Sequence, residues 1–212
     1  MAKLVWGETG ERFFETGVDR GVFYPQSGPG LSWNGLVGVT ETPDGGEVSS
    51  YYLDGIKFLD VADSEDFSGT IEAFSAPREF SSYDGMSNVG AILFIGQQPR
   101  KTFGMSYRTL LGNDTQGSSH KYKLHLVYNL LVSPTEKKYE TVGENTNPIT
   151  NNWAFKTTPV PVPNHKPSGH MSIEASNDEF IAALEAIIYG TNETIPRLPL
   201  PSEVIALLAS MS

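Results

Sequence analysis

From Tyr122 to Val132 every second residue is apolar or aromatic: Tyr122, Leu124, Leu126, Tyr128, Leu130 and Val132. A period of two puts such residues on one face of an extended strand, and a helix cannot bury them together. The opposite face starts polar, with Lys123 and His125. Phe103, Met105 and Tyr107 alternate against Ser106 and Arg108 in the same way. With 21 glycines and 14 prolines in 212 residues, the chain is cut into segments too short for a helical bundle. A mainly β domain with many turns is expected, and the length allows a sizeable core without covalent staples.

Further strands are expected along the chain. Leu36 to Thr42 and Glu47 to Leu53 flank Pro43-Asp44-Gly45-Gly46, which reads as a hairpin loop. Asp54-Gly55 is a second turn signal before Ile56 to Val61. Gly69 to Phe74, Trp153 to Thr158 and Gly169 to Ile173 are weaker strand signals. One helix is well marked over residues 177–190. Ser176 or Asn177 can cap it, Asp178 and Glu179 suit its positive end, Ile181, Leu184, Ile187 and Ile188 share a face, and Gly190 can close it. Residues 191–212 form a C-terminal extension in which Ser202 to Ala209 can make a short closing helix. Residues 1–35, rich in glycine and aromatics, read as an irregular arm, and residues 75–99 as a long loop without a period. The whole chain reads as a single domain.

The chemistry the sequence lacks narrows its function. There is no cysteine, which excludes disulfides, thiolate metal sites and cysteine nucleophiles. No phosphate-cradling glycine loop, dinucleotide fingerprint or nucleophile elbow is present. The opening Met-Ala-Lys-Leu-Val-Trp-Gly-Glu lacks an apolar core, so no signal peptide is expected, and no stretch is apolar enough for a membrane span. The sequons at Asn113-Asp114-Thr115 and Asn192-Glu193-Thr194 read as turn chemistry. His120, His125, His165 and His170 lack the helical i, i+4 spacing of a zinc helix and read as surface and turn histidines. Asp60, Asp63, Glu65 and Asp66 lack calcium-loop spacing. No catalytic, cofactor or metal residue is expected. With 25 acidic against 15 basic residues, a net charge of −10 makes tight phosphate binding a poor fit.

Several strings occur in a familiar order. They run from Trp6-Gly7-Glu8 and Phe14-Glu15-Thr16-Gly17-Val18-Asp19-Arg20-Gly21-Val22 through Trp33-Asn34-Gly35-Leu36, Asp54-Gly55-Ile56-Lys57 and Gly96-Gln97-Gln98-Pro99-Arg100-Lys101. They continue with Phe103-Gly104-Met105-Ser106-Tyr107-Arg108-Thr109, Gly112-Asn113-Asp114, Tyr122 to Asn129, Ile188-Tyr189-Gly190 and Arg197-Leu198-Pro199. In this order the chain resembles the major tail protein, the tail tube subunit, of long-tailed phages infecting actinobacteria. The resemblance implies a β-sandwich or barrel with one flanking helix, six-membered rings stacked into a hollow tube, and passage of DNA through it. It also implies tape-measure, tail terminator and baseplate proteins as partners, and a place in the virion tail after assembly in the host cytoplasm. Met86 to Ile95 is more apolar than the resemblance leads one to expect.

Two site expectations follow. Ile92, Leu93, Phe94 and Ile95 are expected at a subunit interface, because so apolar a run is ill-suited to water; an ordinary core strand is the competing reading. Glu41, Asp44 and Glu47 are candidate lumen residues, since an acidic bore would let DNA slide. The alternatives from other classes are a carbohydrate- or receptor-binding β-sandwich and a hydrolase using His125 or His170 with an acidic partner.

Overall fold

The computed structural model describes residues 4–90, 92–139, 141 and 148–211; Met1 to Lys3, Ala91 of the apolar run and Ser212 lie outside the described residues. In chain order the strands are β1 (Phe13–Tyr24), β2 (Leu31–Ser32), β3 (Leu36–Glu41), β4 (Asp44–Gly45), β5 (Val48–Leu53), β6 (Ile56–Ala62), β7 (Glu65–Asp66) and β8 (Ser68–Ala73). A 3-10 helix at Arg78–Ser82 leads to β9 (Ser87–Val89), β10 (Leu93–Ile95), β11 (Phe103–Asn113), β12 (Gly117–Val132), β13 (Asn151–Thr157) and β14 (His170–Glu174). Two helices close the chain, α1 (Asp178–Ile188) and α2 (Pro201–Ser210). Neither is long and apolar enough to cross a membrane. The main sheet runs β2-β1-β11-β12-β13-β8-β3, with β14 also paired to β12. The architecture is mainly β with flanking helices, as expected; among the described residues no sheet closes on itself into a barrel.

The alternating run on β12 does not stay on one face. Asn129 sits in the left-handed region at φ 48, and the pairing with β11 slips between Phe103–Leu130 and Met105–Val127. Three residues of β12 then span two of β11, which is a bulge, and a bulge rotates the residues beyond it. Leu124, Leu126 and Tyr128 therefore pack with Phe180, Ile181, Leu184 and Ile188 of α1, while Leu130 and Val132 join the opposite core. Before the bulge β12 pairs with β14; after it, with β13. Asn129 holds the fork by donating its side-chain N–H to the carbonyl of Thr158 and accepting that residue's N–H.

The second core is aromatic. Phe23 meets Tyr83 edge-on at 5.1 Å and Phe80 at 5.6 Å, and Phe80 in turn meets Phe103 and Trp153 at 5.4 and 5.2 Å. Edge-to-face contacts of this kind add to the burial term. Two expectations are corrected here. Residues 1–35 are not an irregular arm throughout: Phe13–Tyr24 form a twelve-residue strand beside β11, because Val22, Phe23 and Tyr24 are buried. Nor is 75–99 a loop without structure: Phe80 and Tyr83 plug the aromatic core, and Ser87–Val89 and Leu93–Ile95 form a hairpin.

The turn chemistry was read correctly at one place and misplaced at another. Asp54 (φ 51) and Gly55 (φ 76) make the two-residue hairpin turn joining β5 to β6. Pro43 to Gly46 do not turn the chain back. Instead β3 pairs with β8, β4 with β7 and β5 with β6, one long ribbon leading outward. A Cβ on Gly45 would lie 2.5 Å from the Ser64 carbonyl oxygen, so this glycine admits the returning strand. At α1 the Asn177 side chain accepts the Phe180 N–H, so Asn177 is the cap, and the helix ends two residues before Gly190. The Asn113 side chain accepts the N–H groups of Thr115 and Gln116, closing the β11–β12 turn.

Phe23→Ala tests the aromatic core. Phe23 is fully buried against four rings, so its removal is expected to cost about 3–5 kcal/mol. The measurement is urea denaturation, read as a lowered midpoint at unchanged slope.

Candidate functional site

Two features stand out beside the cores: a polar cluster at the edge of the aromatic core, which it shares through Tyr107, and an apolar fringe on the outgrowths of the sheet. The cluster is assembled by pairing. Tyr107 on β11 is opposite His125 on β12, and Val127 is opposite His170 on β14. The curl of the sheet brings the end of β3 over them, so Tyr107 Oη donates to Glu41 Oε1 at 2.6 Å. His125 Nδ1 lies 3.1 Å from His170 Nε2 and 3.4 Å from Glu41 Oε1. Its other nitrogen, Nε2, is 3.0 Å from Thr109 Oγ1, and the Thr109 hydroxyl donates to Glu15 Oε1 at 2.5 Å. Lys123 Nζ pairs with Glu15 Oε2 at 2.6 Å. Aromatic faces fix both imidazoles: Tyr107 stacks on His125 at 4.6 Å and Phe67 on His170 at 4.4 Å.

The electrostatics follow from this packing. The hydrogen bond with His125 is the main cause that holds Glu41 down to about 2; burial opposes it and Tyr107 adds to it. Burial pushes His170 down to about 4, against the attraction of Glu41 and with the repulsion of His125 and Lys123. Burial raises Glu15, but Lys123 and Thr109 more than offset it and keep its carboxyl below the usual range. Thr109, His125 and Glu41 stand in the order of a hydroxyl–imidazole–carboxylate relay. Glu15 sits against the Thr109 oxygen, however, where an attacking alkoxide would need to be free of negative charge. The cluster is suited to holding charge, protons or a cation rather than to acyl transfer.

Sequence reasoning missed this cluster. His125 and His170 were read as surface and turn residues, yet His125 is buried and the two rings touch. They lie 45 residues apart and Glu41 is further still, so no spacing could announce them. The one usable signal was His125 between Leu124 and Leu126, where the strand turns from a polar to an apolar opposite face.

The apolar fringe is larger. Every residue of β5 and β6 is exposed, including Tyr51, Tyr52, Leu53, Ile56 and Phe58. The β9–β10 hairpin is exposed too, with Ile92 at 90% and Leu93, Phe94 and Ile95 near half. Leu4, Val5 and Trp6 add a third exposed group. Of the three acids expected to face a lumen, Glu41 is engaged by Tyr107 and His125, Asp44 pairs with Lys156 at 3.0 Å, and Glu47 is exposed.

No protein-family model and no curated protein matches this chain. Among solved structures, it is similar to a chain of the cryo-EM structure of the anti-feeding prophage (AFP) baseplate, 6-fold symmetrised, at 11% identity and a TM-score of 0.41. That alignment covers 82% of this chain and 100% of the other.

A pH prediction follows from the cluster. His170 stays neutral in the fold down to about 4, whereas the unfolded chain takes up its proton near 6.5. The unfolded state therefore binds more protons between these values, and stability is lost as pH falls through that window. Glu41 extends the loss below about 4.5 toward 2. Denaturation midpoints in chelator-treated buffer should fall between pH 6.5 and 4, and His170→Asn should flatten that part of the curve.

Proposed function

We propose that this chain is a structural subunit of a phage tail tube: copies join laterally into six-membered rings, and the rings stack into a hollow tube that passes DNA to the host. The observation that carries the proposal is the β5–β6 ribbon. A two-stranded hairpin is at best marginally stable alone in water, and this one is exposed throughout, with large apolar side chains along both strands. Burying one such side chain is worth roughly 1.5–3 kcal/mol, so contact between subunits supplies what the single chain lacks. The β9–β10 hairpin is a second contact of the same kind, through Ile92, Leu93, Phe94 and Ile95. The ordered strings shared with actinobacterial major tail proteins support the same reading, which is structural rather than catalytic. Tape-measure, terminator and baseplate proteins are then its partners, and the virion tail its place.

The charge fits DNA passage. Six copies at −10 bring −60 to each ring, and walls of like sign repel phosphate rather than trap it. Among the expected lumen acids, Glu41 and Asp44 are engaged within the chain, which leaves Glu47 as the candidate for the proposed bore.

Electron microscopy and light scattering of the purified chain test the proposal: rings or tubes are expected, and a 23.2 kDa monomer under every condition would overturn it. The double substitution Ile92→Asp and Phe94→Asp should leave the circular dichroism spectrum unchanged, because both side chains already face solvent, and should abolish assembly. An unfolded double variant would assign the run to the core of the single chain. Normal assembly by the variant would remove this hairpin from the interface.

A further inference from the structure

We propose that Glu41, His125 and His170 form a binding site for one zinc-class divalent cation, which ties the root of the long β4–β7 ribbon to the main sheet. The three ligand atoms, Glu41 Oε1, His125 Nδ1 and His170 Nε2, lie within 4.8 Å of one another. A tetrahedral zinc with bonds of 2.0–2.1 Å sets its ligand atoms about 3.3 Å apart. The nitrogens here are 3.1 Å apart, and Glu41 Oε1 is 3.4 Å from His125 Nδ1.

The hydrogen-bond pattern around the cluster points the same way. The Thr109 hydroxyl has a single proton, and the charged Glu15 carboxylate 2.5 Å away is its strongest acceptor. The His125 Nε2 then donates to Thr109 Oγ1, and a cation that displaces the Nδ1 proton shared with Glu41 would find a lone pair there. That lone pair faces a carboxylate oxygen at 3.4 Å and a second imidazole nitrogen at 3.1 Å. A single proton on His125 Nδ1 has to serve both Glu41 and His170; a cation in its place meets all three. The surroundings are those of ligating residues: His125 is oriented through Thr109 to Glu15, and Glu41 accepts from Tyr107.

Two imidazoles and one carboxylate are borderline donors. They suit zinc, cobalt or nickel rather than calcium or magnesium, which require oxygen shells. Three protein ligands leave a fourth position for water on the side where Glu41 meets solvent. The ligands come from β3, β12 and β14, and β3 is the strand that continues into the ribbon. The proposal is independent of the ring-forming role.

The test uses the full chain, stripped with chelator and titrated with zinc chloride by calorimetry. Cobalt chloride serves as a spectroscopic stand-in that reports tetrahedral coordination. One zinc per chain is expected, with a raised Tm and a cobalt spectrum of tetrahedral type. His125→Ala, His170→Ala and Glu41→Gln should each remove stoichiometric binding, and Tyr107→Phe should weaken it about tenfold. The double variant His120→Ala, His165→Ala should bind as the parent does. Glu41 is partly exposed, so Glu41→Gln keeps the test decisive if a histidine variant fails to fold. The proposal is overturned if the parent shows no saturable binding at one per chain. Retained binding in Glu41→Gln or His170→Ala, or its loss in the His120/His165 variant, would overturn it equally.

Discussion

Asn129 in its left-handed conformation decides how this chain is divided between two cores. Without the bulge it creates, β12 would present one apolar face from Tyr122 to Val132, and everything packed on that face would have to lie on one side of the sheet. With it, the first half of the strand supports α1 and pairs with β14, and the second half supports the aromatic core and pairs with β13. Asparagine tolerates this backbone region better than most side chains. Its amide also repays the interrupted ladder by bonding to Thr158. α1 packs on the half of β12 before this point, and Phe80 belongs to the core that the half beyond it joins.

The interior is well provided for. Phe23, Phe80, Leu130, Leu184 and Ile188 are essentially inaccessible to solvent, and the Tyr24 hydroxyl reaches both Ser106 and the Ile188 carbonyl across the two layers. The outgrowths contrast sharply with this. The β5–β6 ribbon and the β9–β10 hairpin carry aromatic and aliphatic side chains into solvent, with only Arg78 and Ser81 reaching the hairpin among the contacts of the described residues. Patches of this size on soluble proteins mark contact surfaces. A complete core with incomplete extensions is what the proposed assembly role asks for.

Between these regions lies the polar cluster, at the root of the longer extension. Tyr107, His125 and His170 belong to the main sheet, while Glu41 stands where the sheet passes into the ribbon. The cost of burying two imidazoles beside a carboxylate is offset only if each polar atom is met by a proton or a cation.

Much of the local structure was legible in the sequence. The alternation of Phe103 to Tyr107 and of Tyr122 to Tyr128 marks strands, and Asn177 with the Ile181–Leu184–Ile188 stripe marks α1. Asp54-Gly55 marks its turn, because these signals are written in the residues that form the element. Pro43 to Gly46 carried the same local chemistry yet continue a ribbon, since the partner of β3 is β8, some thirty residues on, and only packing selects it. The same limit hid the switch of face at Asn129, the burial of Phe80 inside an apparently irregular stretch, and the meeting of Glu41, His125 and His170. A one-dimensional pattern reports which residues want to leave water. Which of them meet is decided when the sheet curls, because curvature and register belong to the whole ladder and to no single segment of it.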